Sequence, residues 1–124
     1  MKTIILILLT AITLNAQGIA YSNEIQFYEQ KDTVLKIWDF IKSKNILSEF
    51  HMENNTIKHV IGEDVSLYTI TEVDSSTEIK TYTIISDTDN MYLMVTQPGA
   101  LIFYYVDENN VYCASRFNIY YTKE

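Results

Sequence analysis

The chain has 124 residues, with 9 Lys and Arg against 16 Asp and Glu, giving a formal net charge of −7. Such an acidic balance disfavours nucleic acid and anionic membranes as partners and suits a neutral or basic one. One cysteine excludes an internal disulfide, and three glycines leave no phosphate-cradling loop.

The first stretch, MKTIILILLTAITLNAQG, has one positive residue, Lys2, then an almost unbroken apolar run from Ile4 to Leu14. Small residues follow at Ala16, Gly18 and Ala20, the pattern of a secretory signal peptide. The run is shorter than the roughly 20 residues a membrane-spanning helix needs, and no basic cluster follows Asn15 and Gln17. Cleavage is expected after Ala16, with Ala20 as the alternative, and no nearby cysteine can accept a lipid. The protein is then exported to the periplasm or beyond the cell, with no stable membrane insertion. Loss of residues 1–16 leaves 108 residues, and loss of Lys2 moves the charge to −8. Residues 17–124 make one domain, large enough to bury roughly 65% of its unfolded surface.

Residues 32–44 carry helical spacing: Val34, Trp38 and Ile41 fall at i, i+4 and i+7, widened by Leu35 and Ile37. Asp32 suits an N-cap. Lys42 and Lys44 suit the negative pole, and Asn45 a left-handed stop. A start at Asn23 lengthens the same helix.

From Thr56 onward β-branched and aromatic residues dominate, and turn clusters recur at 62–64, 74–77, 87–90, 97–100 and 108–111. This spacing predicts six antiparallel strands near 56–61, 65–73, 78–86, 91–96, 101–107 and 111–121. Alternate residues of a strand point opposite ways. With the turns setting register, Ile61 faces Val65, Ile84 faces Leu93, Val95 faces Ile102 and Val106 faces Cys113. One face then holds Ile57, His59, Ile61, Val65, Leu67, Tyr82, Ile84, Met91, Leu93, Val95, Ile102, Tyr104, Val106, Cys113, Phe117 and Ile119. That face is expected to pack on the Trp38 stripe of the helix. The other face carries Tyr68, Tyr92, Met94, Phe103, Tyr105, Tyr112, Arg116 and Tyr120, with Arg116 opposite Phe103.

Little in the sequence carries chemistry. His51, among Glu49, Glu53 and Asn54, has no second histidine or cysteine at ligand spacing and reads as a solvated loop residue. His59 falls on the apolar face as a core histidine. Cys113, opposite Val106, reads as a buried thiol with no base to activate it. Asp87, Asp89 and Asn90 lack the glycine and distant glutamate of a calcium loop and read as a hairpin turn. Asn54-Asn55-Thr56 matches the glycosylation acceptor, a pattern short enough to arise by chance.

The expected fold class is α+β, one N-terminal helix packed on a curved antiparallel meander of about six strands. That arrangement is similar in outline to cystatin-like and other small inhibitor folds, although the glutamine-valine-glycine hairpin of cystatins is not present. The expected role is an exported protein-binding module, an inhibitor or toxin-neutralising immunity-type protein. Its partner, another protein, with a basic one suited to the acidic charge, would meet Phe103, Tyr105, Tyr112, Arg116, Tyr120 and Tyr92, because rigid aromatic rings and arginine dominate binding hot spots. The alternative is a carrier of a small apolar ligand, with a pocket between helix and sheet lined by Tyr82, Tyr104, Met91 and Trp38. No catalytic residue, cofactor or metal is expected.

Overall fold

A computed structural model describes residues 17–123 apart from 33, 35 and 36; the expected signal peptide lies outside the described residues. β-branched and aromatic residues pair as strands along the whole of this region. The strands are β1 (Gln17–Asp32), β2 (Ile37–Lys44), β3 (Ser48–Glu53), β4 (Thr56–Ile61), β5 (Asp64–Asp74), β6 (Lys80–Ser86), β7 (Met91–Gln97), β8 (Ala100–Val106) and β9 (Tyr112–Lys123). Their spatial order is β9-β8-β7-β6-β5-β4-β3-β1-β2, and β9 also pairs antiparallel with β1. Eight strands therefore close into an up-and-down barrel, and β2 is a ninth strand outside the closure.

The fold is all-β, not α+β, and the described residues contain no helix. The helical spacing rested on three positions, Val34, Trp38 and Ile41. Ile37, Trp38, Phe40 and Ile41 are also residue types that favour a strand. Pairing with β1 decides between the two readings: Gln30 lies opposite Trp38 and Tyr28 opposite Phe40.

β1 escapes a period-two reading because it changes phase midway. Ala20 and Ser22 face the interior in its first half, Ile25 and Phe27 in its second. The step from Phe117 to Ile119 on β9 answers a step from Ile25 to Ser22 on β1, which leaves an extra β1 residue in a bulge. The buried Ser22 hydroxyl spans that bulge, donating to the Glu24 carbonyl at 3.0 Å and accepting from the Glu24 N–H at 3.4 Å. Below the bulge β1 pairs with β3, and above it with β2.

The six strands expected from Thr56 onward correspond to β4–β9, but three registers differ by one residue. Gly62 and Glu63 form a two-residue turn, with Ile61 opposite Asp64 rather than Val65; Gly62 takes φ 60°, the left-handed conformation such a hairpin needs. In the β6–β7 and β8–β9 connections the last loop residue but one is left-handed, Asp89 at φ 66° and Asn110 at φ 66°. Ile84 therefore faces Tyr92, and Val106 faces Tyr112. Only the β7–β8 turn, with Pro98 followed by Gly99 at φ 77°, keeps the expected pairing of Val95 with Ile102. A one-residue slip sends each side chain to the other face. Tyr68, Met94, Leu101 and Phe103 thus point into the barrel, while Val65, Leu67, Met91, Leu93 and Val106 are exposed outside. On β4, β6 and β9 the expected inward residues Ile57, His59, Tyr82, Ile84, Cys113 and Phe117 are buried.

The middle of the barrel is filled by side chains. Phe50, Phe103, Phe117 and Tyr68 meet in a cluster of tilted and edge-on rings, joined by His59. Ile57, Ile84, Met94 and Leu101 complete the core.

Candidate functional site

Outside the barrel, one row of side chains crosses five strands. Phe40 of β2 lies opposite Tyr28 of β1, Tyr28 opposite Ala114 of β9, Ala114 opposite Tyr104 of β8, and Tyr104 opposite Leu93 of β7. At roughly 4.8 Å per strand the row is about 19 Å long. Its centre is Ala114, whose methyl group leaves a gap between two tyrosines. Trp38 leans across that gap, its ring centroid 5.7 Å from that of Tyr104. Ala114 is only 4% exposed although it faces outward, whereas Phe40 is 55% exposed. Phe40 meets Tyr28 edge-on at 5.6 Å, so four aromatic rings form one continuous surface.

Polar groups rim the row. The Tyr28 hydroxyl donates to Gln26 Oε1 at 3.2 Å. Arg116 Nε donates to Asn118 Oδ1 at 3.2 Å, and Asn118 Nδ2 donates to Glu24 Oε1 at 2.6 Å. Tyr28, Trp38, Ile102, Tyr104, Ala114 and Arg116 enclose a groove of about 240 Å³. Ile37, Ile41, Ile46 and Leu47, on and just beyond the same strand, are also exposed. Among the described residues the far edge of β2 is unpaired. Asp39, Lys42, Lys44 and an irregular register at Ile41 blunt that edge against further strand pairing.

The residues expected to form a binding surface are split between two sides of the barrel wall. Phe103 is 4% exposed within the core. Tyr92 and Tyr105 belong to the same interior ring cluster, with centroids 5.8 Å apart, and the Tyr105 hydroxyl lies 3.3 Å from Ser115 Oγ. Tyr112 and Arg116 stand two residues either side of Ala114 and flank the aromatic row. Tyr120 is exposed near the far end of β9. Tyr28, Phe40 and Leu93 belong to the row and were not expected there. Trp38 and Tyr104 meet, yet on the outside of the wall, with Tyr82 buried on its inner side. The pocket expected between helix and sheet has no helix to form it.

His59 is buried and stacked on Phe50, and its Nε2 has no hydrogen-bond partner among the described residues. Burial holds its pKa down at about 4, so the ring is neutral at ordinary pH. His51 pairs with Glu49 at 2.8 Å on the outer surface. Asn54 sits in the exposed β3–β4 turn at φ 55°, closed by the Thr56 hydroxyl donating to the Glu53 carbonyl at 2.8 Å. Asp89 and Asn90 belong to the β6–β7 turn, where Ser86 Oγ accepts from the Asn90 N–H at 3.1 Å.

At the upper rim of the barrel, Glu29, Asp107 and Cys113 each bring one ligand-type atom within 4.8 Å of the others. Tyr105 and Glu29, not Val106, are the cross-strand neighbours of Cys113. Its thiol donates to the Val111 carbonyl at 3.5 Å. Burial, and then the Asp107 and Glu29 carboxylates, push the thiol pKa up. A protonated, buried thiol between two carboxylates is a poor nucleophile.

No family model matches the chain, and no curated protein or solved structure matches it either.

Proposed function

We propose that the chain is an exported protein-binding module that docks its partner on the outer row centred on Ala114. The burial of Ala114 beneath Trp38, Tyr28 and Tyr104 carries this reading. Rigid rings packed over a small residue form a preordered, largely apolar surface, and such surfaces bind with little loss of side-chain freedom. The exposed Phe40 extends it, and exposed apolar patches of this kind mark interaction sites. Tyr112 and Arg116 remain part of the proposed contact surface; Phe103, Tyr92 and Tyr105 support it from within the wall. The acidic balance favours a basic partner and a salt-sensitive association rate. The apolar interior, with Glu49, His51 and Lys58 directed outward on β3 and β4, is the reverse of a membrane-spanning barrel and supports an aqueous compartment.

Export is tested by the intact mass of protein recovered from the cells that make it, which should lack residues 1–16. Binding is tested by capture from the same exported fraction on immobilised wild type, Trp38→Ala and Phe40→Ala. The captured partner should bind Trp38→Ala about thirty-fold more weakly, as expected of a hot-spot residue. Wild-type affinity in both variants rejects the outer row as the site.

A further inference from the structure

One mouth of the barrel is not filled. Where β1 begins, β9 ends and β7 turns into β8, a cavity of about 280 Å³ opens to solvent. Its origin is the small size of the inward residues on β1, since Gly18 and Ala20 stand where larger side chains would close the taper. Met52, Tyr82, Leu101 and Ile119 form an apolar wall, and Tyr82 and Leu101 are almost wholly buried at its floor. Polar groups enter only from Thr96, Gln97 and Thr122. Lys123 is the one charged residue among those described that line the cavity; it stands opposite Ile19, so its side chain leaves from the outer side of the wall and comes to the lip only along its flexible stem.

An eight-stranded barrel has an interior little wider than its own side chains, so a ligand entering it must be slender. At roughly 30 Å³ per water-sized group the cavity holds about nine such groups in a chain. An apolar tube with a single flexible cation within reach of its lip matches one chemistry: an unbranched tail ending in an anion. We propose that this mouth binds medium-chain aliphatic carboxylates, the tail lying against Tyr82, Leu101 and Ile119 and the carboxylate beside Lys123. This site is separate from the outer aromatic row, and neither depends on the other.

The test is calorimetric titration of protein purified from the cells that make it with monomeric hexanoate, octanoate, decanoate and dodecanoate. Affinity should rise about four-fold with each methylene that the cavity can enclose and level off near decanoate. Met52 and Ile119 methyl resonances should shift on binding. Ala20→Phe should abolish the interaction, and Lys123→Gln should weaken decanoate by up to about five-fold while leaving decanol unchanged. Trp38→Ala should bind decanoate as wild type does. The proposal fails if no saturable binding is found, or if affinity keeps climbing past the length that fits. It also fails if Lys123→Gln weakens decanol as much as decanoate.

Discussion

The imidazole of His59 lies flat on the ring of Phe50, with centroids 4.1 Å apart and planes within 10°. The two residues are direct cross-strand partners on β4 and β3, and Phe117 meets the imidazole edge-on at 5.1 Å. A charged ring in this aromatic enclosure would lose its hydration without gaining a counter-ion. Desolvation alone therefore holds the pKa at about 4 against 6.5 in an open chain.

Acid should accordingly destabilise the barrel through this one residue. Between pH 6.5 and 4 the unfolded chain binds a proton that the folded chain refuses, so stability falls as pH drops through that window and levels off below it. The full effect is about 3 kcal/mol. Urea unfolding of wild type and His59→Phe at pH 7, 5 and 4 checks this. The variant should lose less stability than wild type over that range, and equal losses would place the acid sensitivity elsewhere.

Phe103 and Trp38 should behave oppositely. Phe103→Ala empties the middle of the core and should cost about 3–5 kcal/mol. Trp38→Ala removes a ring from the outside and should change thermal stability by less than about 1 kcal/mol. If Trp38→Ala destabilised the protein as much as Phe103→Ala, the outer row would be structural.

Cys113 should label slowly with a small thiol reagent in the native state and fast after denaturation. Asp107→Asn keeps an oxygen for the amides of Asn109 and Val111, which Asp107 Oδ1 accepts at 2.8 and 2.9 Å, but removes a charge that raises the thiol pKa. Native labelling of that variant at pH 8 should be faster by a few-fold. An unchanged rate would mean that steric access, not thiolate population, limits the reaction.

Gly62→Ala should cost about 1–2 kcal/mol. Nothing lies within 4 Å of a Cβ built there, so the loss is conformational and comes from holding an L-residue at φ 60°. Gly62→Asn should cost less, because asparagine tolerates that conformation better. Denaturant midpoints of the two variants distinguish backbone strain from crowding.

Strand positions from Thr56 onward were legible because β-branched and aromatic runs alternate with polar turn clusters. The faces of β5, β7 and β8 were not, because register depends on whether a loop holds two, four or five residues. Asp89 and Asn110 each add a left-handed residue that composition alone does not announce. The same one-residue slips hid the candidate site, moving Tyr104 and Leu93 outward and Phe103 and Tyr105 inward. Trp38 was misassigned for a different reason: three apolar residues at helical spacing fit an exposed, irregular edge strand equally well. Ala114 was the one readable hint, a small residue between Tyr112 and Arg116 in a stretch otherwise crowded with rings.

The pairing of β1 with β9 has a consequence for how the chain acquires its shape. Ile19 lies opposite Lys123 and Glu29 opposite Cys113, so the closing seam joins segments up to about 100 residues apart in sequence. Contacts this distant form late and slow folding toward the millisecond-to-second range. Until β9 emerges from the ribosome, β1 lacks its neighbour from Ile19 to Glu29 and the barrel cannot seal. A nascent chain that cannot complete itself stays loose, which suits the proposed export: the seam would then set only after translocation.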